Sequence, residues 1–459
     1  MNIRRRKILQ TVLAGVGSCG WGAGFAAVDR GAPHIRGFGP LIPDPRTLLD
    51  LPAGFHYKIL SRAGDPMSDG LRVPGRPDSM HAFQGTGGRV VLLRNHELNV
   101  ADRQHAFAGA ANTIRSDLLA KLYDPAVGKG GVSTLIIAED TLRVQQQFLS
   151  LAGTLRNCSG GATTWGSWLS CEESVLRAGE QGAKRDHGYV FEVSATATGL
   201  QPARPLKAMG RFNHEAAAVD PATGIIYLTE DRDDGLVYRF IPNSVGKPAA
   251  GGQLQALAIA GLEGGETSNR GRGRVPLREP AAVRWLTLAQ VEAPEDDLRR
   301  QGRALGATRF VRGEGMAVQA ISRNRYQIWF MATSGGPRGL GQVWRYRPSP
   351  GEGRDAERQQ PGKLELFLEP GHAAVQNHGD NLAVAPNGDL MICEDSSTDQ
   401  RILGVTPAGG VYVVARNPRG NSEFAGATFS PSGRTLFVNI QHAGLSFAIQ
   451  GDWAARRTA

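Results

Sequence analysis

The sequence predicts an all-β chain, a six-bladed β-propeller with a partly helical insertion. Three observations carry that expectation. Gly 60 and Pro 26 in 459 residues suit many short strands joined by tight turns better than they suit helices. After the N-terminus no apolar run reaches the roughly 18–20 residues that a spanning helix needs, so the mature chain has no expected transmembrane segment. Lastly, one unit recurs along the body: a polar or acidic pair, a short run of small and apolar residues, a tight turn, and an apolar strand ending in acids.

The clearest copy runs from His214 to Asp220, turns at Pro221-Ala222-Thr223-Gly224, and continues from Ile225 to Glu230-Asp231. A second runs from Asn381 to Ala385, turns at Pro386-Asn387-Gly388-Asp389 and ends in Cys393-Glu394-Asp395. A third leads from Glu423 through Ser430-Pro431-Ser432-Gly433 to Asn439. Three looser copies begin at Met80, Asn157 and Gly313 and end at Glu97, Glu173 and Ser334. A Gly-bearing turn between apolar runs is a hairpin signal because glycine accepts the positive φ that the turn requires. Irregularly spaced hairpins of this kind predict six blades with variable outer strands over residues 51–450. Residues 241–308 read as an insertion with a helix from Pro294 to Leu305, and residues 31–50 as an irregular lead-in.

Residues 1–30 read as a twin-arginine signal peptide. Arg5-Arg6-Lys7-Ile8-Leu9-Gln10 precedes a Gly/Ala-rich apolar run from Thr11 to Ala27. The expected partner is the twin-arginine translocation machinery, which exports folded proteins, and the expected location is periplasmic or secreted. An ordinary Sec leader is the alternative, and Val16-Gly17-Ser18-Cys19 leaves lipid anchoring at Cys19 open. The formal charge is +9, but Arg4 to Lys7 supply four of those charges. Basic residues elsewhere are scattered without aromatic interleaving, which argues against a nucleic-acid partner. Beyond the leader Cys158, Cys171 and Cys393 remain, an odd number in an oxidising compartment. An unpaired thiol there is either buried and inert or held as a metal thiolate. Cys171 and Cys393 read as small buried residues. Cys158 begins a Gly-rich strand and stays open between the two readings.

In a hairpin, the start of the first strand and the end of the second lie at one edge. If each leading strand is innermost, the recurring acids meet at one mouth of a central channel. That set includes Asn95, Glu97, Cys158, Glu172, Glu173, His214, Glu215, Glu230, Asp231, Glu314, Asp380, Glu394, Asp395 and Glu423. So many carboxylates in one place need protons or cations, because like charges raise one another's pKa. Oxygen ligands favour calcium, and a thiolate among them favours a transition metal such as iron. Arg312, two residues before Glu314, either holds an anionic substrate beside the cations or bridges to a neighbouring acid.

At these residues the sequence resembles the PhoX alkaline phosphatase family, from about Leu51 to about Ala443. The motifs are Ser61-Arg62-Ala63-Gly64-Asp65-Pro66-Met67, Arg94-Asn95-His96-Glu97, Asn157-Cys158-Ser159-Gly160-Gly161, and Trp168 through Glu172-Glu173. Gly210-Arg211-Phe212-Asn213-His214-Glu215 through Arg239-Phe240, Arg312-Gly313-Glu314-Gly315, Asp380-Asn381-Leu382 and Phe424-Ala425-Gly426-Ala427 complete them. The resemblance implies an exported phosphomonoesterase on a six-bladed propeller that uses iron and calcium. It implies that Cys158 and Glu215 bind iron, that Glu173, Glu314, Asp380 and Glu394 bind calcium or bridge metals, and that Arg312 with Asn95 holds the phosphate of a phosphate ester. The alternatives are a calcium-dependent propeller lactonase or phosphotriesterase, and a non-enzymatic calcium-binding propeller.

Overall fold

Strands dominate the computed structural model, which describes residues 35–108, 115–270, 275–420 and 422–454. The expected leader at 1–30 and Cys19 lie outside the described residues. Each repeat forms the hairpin its turn chemistry dictates. In the clearest copy, His214–Val219 pairs antiparallel with Ile226–Glu230. Its turn closes as Gly224 N–H donates to the Asp220 carbonyl at 2.8 Å, with Gly224 at φ +73°. The Asp220 carboxylate accepts from Ala222 N–H (3.0 Å) and the Thr223 hydroxyl (2.7 Å) and so fixes the same turn from its side chain.

Alternate residues of the second strand feed two different cores. Ile226 and Leu228 pack with Leu169, Val190 and Phe240 on one side, whereas Tyr227 packs with Ile328, Phe330 and Trp344 on the other. Both faces are covered, so the strand reads as an unbroken apolar run instead of an alternating one.

Among the described residues the strands form six sheets. Three are four-stranded, one is three-stranded and one is a two-stranded pair, Leu41–Ile42 with Leu51–Pro52. The last is nine-stranded. In it the meander from His214–Val219 to Gly252–Ile259 joins the meander from Gly313–Ser322 to Lys363–Leu368 through the strand Ala281–Thr287. The arrangement is therefore propeller-like, with four separate blades and one fused sheet where the sequence suggested two more blades. The joining strand lies in the stretch read as an insertion, because Gly252–Ile259 and Ala281–Thr287 are ladder strands there. The helix of that stretch is shorter than expected, Leu298–Ala304. Among the described residues no helix is long and apolar enough to cross a membrane.

The leading strands of the six hairpins adjoin one another in a ring: Pro77–Gln84, Asn157–Ala162, His214–Val219, Gly313–Ser322, Gly379–Val384, Phe424–Phe429 and back to the first. They come close enough to exclude side chains in places. A Cβ on Gly161 would stand 2.2 Å from the Ala217 carbonyl oxygen, and one on Gly315 would stand 2.7 Å from Asn381 Cα. The ring is closed at its seam by a strand from the other end of the chain: His56–Arg62 pairs with Leu445–Gln450 as the outer strand of the last blade.

Candidate metal centre

Each of these six hairpins carries a register slip near the start of its inner strand, where two residues oppose one. Such a bulge leaves one residue unpaired and re-aims its side chain. In five of the hairpins the first bulged residue is Asp78, Cys158, Glu215, Glu314 or Asp380. In the sixth the slip falls one residue later and the equivalent position is Ala425.

These side chains meet. Ligand atoms of three overlapping trios lie within 4.8 Å of one another: Asp78, Glu97 and Cys158; Cys158, Glu173 and Glu215; Glu215, Glu314 and Asp380. Cys158 and Glu215 are shared, so the trios form one continuous chain of donors. Of the residues expected from sequence, Cys158, Glu173, Glu215, Glu314 and Asp380 are brought together. Asp78 joins them from outside the set expected from sequence, in which the first repeat begins at Met80. Counting back to match the other copies finds Arg76-Pro77-Asp78 beside Arg312-Gly313-Glu314.

Burial is the main cause that raises the carboxyl groups of Asp78, Glu173, Glu215 and Glu314 well above their usual range, and neighbouring acids add to it. Asp380 is pushed to about 7 in the same way. The Cys158 thiol is also raised, by burial and then by Asp78, Glu215 and other acids. Glu215 has both carboxylate oxygens buried without a hydrogen-bond partner. An ionised carboxylate cannot persist like that without compensation. The donor set fits cations: carboxylate oxygens suit calcium, and a thiol flanked by carboxylates suits a transition metal.

Two arginines border the cluster. Arg312 donates through Nε and Nη2 to Asp231 (2.8 and 2.9 Å) and through Nη2 to Glu314 (2.9 Å). Arg156 donates through Nη2 to Glu173, and the same nitrogen forms an ion pair with Glu97 at 2.8 Å. Each immediately precedes an inner strand in left-handed backbone, at φ 55° and 46°. Its carbonyl is held by the N–H of a residue at the far end of the hairpin: Thr333 on Arg312 and Glu173 on Arg156, both 2.9 Å. Non-glycine residues in that conformation cost about 1–3 kcal/mol each and concentrate at functional sites. Arg156 carried no signal by itself, but it occupies the repeat position of Arg312.

Two expected site residues stand outside the cluster. Asn95 is fully buried, and its amide is saturated. Nδ2 donates to the carbonyls of Cys158 (3.3 Å) and Ser159 (2.7 Å), and Oδ1 accepts from Trp168 Nε1 (2.8 Å) and the Ser170 hydroxyl (2.9 Å). It braces the bulge at Cys158 and has no group left for a phosphate. Glu394 is likewise engaged, by Arg401 Nε and Nη2 (2.6 and 2.8 Å) and by Asn377 N–H (2.6 Å). Its neighbour Asp395 faces the acids, raising the carboxyls of Asp380 and Glu423.

Glu172 and Glu230 repeat the Glu394 pattern. Glu172 accepts from Leu155 N–H (2.9 Å) and Gly188 N–H (3.0 Å) and is bonded to His187. Glu230 accepts from Leu236 N–H (3.2 Å) and the Tyr238 hydroxyl (2.7 Å). In the pairs Glu172-Glu173, Glu230-Asp231 and Glu394-Asp395, therefore, the first acid tethers loops and the second faces the centre. A cavity of about 960 Å³ beside Arg239 and Trp285 shares no residue with the cluster.

The fold is similar to that of Pseudomonas fluorescens PhoX, solved in complex with vanadate. The match has TM-score 0.64 at 19% identity and covers 92% of this chain and 98% of that one. A Xanthomonas campestris gluconolactonase aligns at TM-score 0.41 and 13% identity, over 90% of this chain and 97% of that one. Among curated proteins no sequence relative matches. The family described as alkaline phosphatase PhoX matches residues 36–146 and 120–444, most of the chain and all of the residues that build the cluster, and the chain belongs to that family.

Proposed function

We propose that this chain is an exported metal-dependent phosphomonoesterase on a six-bladed propeller, with the nine-stranded sheet serving as two blades. The observation that carries this reading is the chain of donors from the buried Asp78 to the half-buried Asp380, linked through Cys158 and the unpartnered Glu215. Cys158 and Glu215 would hold iron. Glu173, Glu314, Asp380, Asp78 and Glu97 would hold calcium or bridge between ions. When bound, such ions polarise phosphoryl oxygens and acidify water.

The remaining work falls to the side chains. Arg312 would reach an equatorial phosphoryl oxygen through Nη1, because Asp231 and Glu314 hold its Nε and Nη2 and so fix the orientation of the guanidinium. Asn95 acts as a positioning residue through the Cys158 and Ser159 carbonyls. The thiol of Cys158 is a ligand and not a nucleophile. Export through the twin-arginine route belongs to the same proposal and rests on Arg5-Arg6 and the apolar run behind them.

Elemental analysis of protein exported from its own host, followed by hydrolysis of p-nitrophenyl phosphate, tests the proposal. Iron together with calcium, and turnover that disappears on chelation, are the expected results. Calcium alone with no phosphate release would refute it in favour of a lactonase or a binding propeller.

A further inference from the structure

We infer that Arg156 is a second anion-binding arm, and that the preferred substrates are phosphate esters with a further anionic group close to the phosphoryl group. This rests on the phosphatase reading above and adds the substrate class to it.

Arg156 and Arg312 are copies of one device. They occupy the same place in their hairpins; the left-handed backbone and the pinned carbonyl recur at Arg76 and His378 and belong to the repeat, so what sets this pair apart is where the two guanidiniums lie. Each guanidinium lies between two carboxylates that face the centre, and each side chain keeps about a third of its surface open, 34% for Arg156 and 35% for Arg312. Their acid partners do not overlap. Arg156 stands over Glu97 and Glu173, and Arg312 over Asp231 and Glu314, with the strand bearing Glu215 between their two hairpins.

The two guanidiniums therefore flank different stretches of the donor chain. A phosphoryl group held by Arg312 leaves Arg156 to hold something else. Arg156 also has unused capacity: it reaches both carboxylates through Nη2 alone, which leaves Nη1 without a bond. A planar fork with spare donors is suited to a carboxylate or a second phosphate. Once cations take over Glu97 and Glu173, the pull of those acids on the fork weakens and an incoming anion can replace them.

Matched substrate pairs test this. 3-Phosphoglycerate against glycerol 3-phosphate isolates a carboxylate, and fructose 1,6-bisphosphate against fructose 6-phosphate isolates a second phosphate. Binding by calorimetry and kcat/KM are measured for the metal-loaded wild type, Arg156→Met and Arg156→Lys. The wild type is expected to favour the doubly anionic member of at least one pair by about tenfold or more. Arg156→Met should abolish that preference, and Arg156→Lys, which keeps the charge but not the fork, should retain part of it. The pair that shows the preference names the second group. If neither pair shows one, or if Arg156→Met lowers both members of a pair equally, the inference is overturned and Arg156 is a brace for Glu97 and Glu173. If the preference appears in binding but no substrate is hydrolysed, the second arm stands and the phosphatase reading fails.

Discussion

Replacing Asn95 by Ala separates a residue that holds substrate from one that holds the fold around a ligand. The amide makes four hydrogen bonds, two given and two accepted, and is fully buried. At about 1 kcal/mol net for each buried neutral bond, the substitution costs about 4 kcal/mol. For 459 residues, with an unfolding entropy of about 2.1 cal/mol/K per residue, that lowers Tm by about 4 °C. The freed carbonyls of Cys158 and Ser159 lie at the bulge, so the thiol should lose its aim and bound iron should fall together with stability. Asn95→Asp sharpens the test, because it keeps the shape and the two acceptor bonds while setting a carboxylate oxygen against two carbonyls. Thermal melts, elemental analysis and kcat/KM on the same preparations provide the measurements. A variant of unchanged Tm and iron content, with only KM raised, would show that Asn95 contacts substrate and that the bracing argument is wrong.

Other perturbations follow from the same geometry. Cys158→Ala should lose iron and turnover while Tm in the presence of calcium stays within a few degrees; iron retained at full stoichiometry would remove the thiol from the ligand set. Glu394→Gln should cost about 2 kcal/mol by weakening the charged bonds to Arg401 and leave metal content intact, whereas Asp395→Asn should disturb the metals more than the melt. The reverse pattern would exchange the two roles.

Stability of the chelated protein should fall as pH rises. The Asp380 carboxyl is raised from 3.8 to about 7, so its protonated form favours folding below about 3.8, and that contribution is lost as pH passes through about 7. The other raised acids of the cluster act in the same direction. Melts between pH 5 and 8 should show the decline, and calcium should reverse it; a chelated protein whose Tm rises over that interval would contradict the cluster.

Much of this molecule was legible in the sequence because its turns are local chemistry. Asp220-Pro221-Ala222-Thr223-Gly224 specifies a hairpin whatever surrounds it, and the acids recur because the hairpins do. What escaped depended on partners distant in sequence. The strand His56–Arg62 closes the last blade by pairing with Leu445–Gln450, and nothing local marks it as a seam. The join through Ala281–Thr287 pairs that strand with residues near Leu364, so an apparent insertion became part of a sheet. The resemblance placed Glu394 at the metals, but the tether that occupies it, Arg401, is visible only after folding.

The choice between Glu394 and Asp395 also shows why acid pairs recur at the hairpin ends. The first member of each pair is the last residue of its strand and the second is the residue just past it, and successive residues of extended chain face opposite sides, so the two take different roles. One member turns outward, where it accepts loop N–H groups and fixes the strand end, and its neighbour is thereby aimed inward. His96-Glu97 obeys the same rule without an acid in first place: His96 is bonded to the Gly75 carbonyl (2.9 Å) and Ser133 (2.8 Å), while Glu97 reaches the cluster. The bulge on the facing strand completes the device by breaking alternation at one residue, so Asp78, Cys158, Glu215, Glu314 and Asp380 converge although each strand then resumes its ordinary pleat. The centre is thus set by backbone geometry repeated around a ring, which brings mutually repelling groups together at one place.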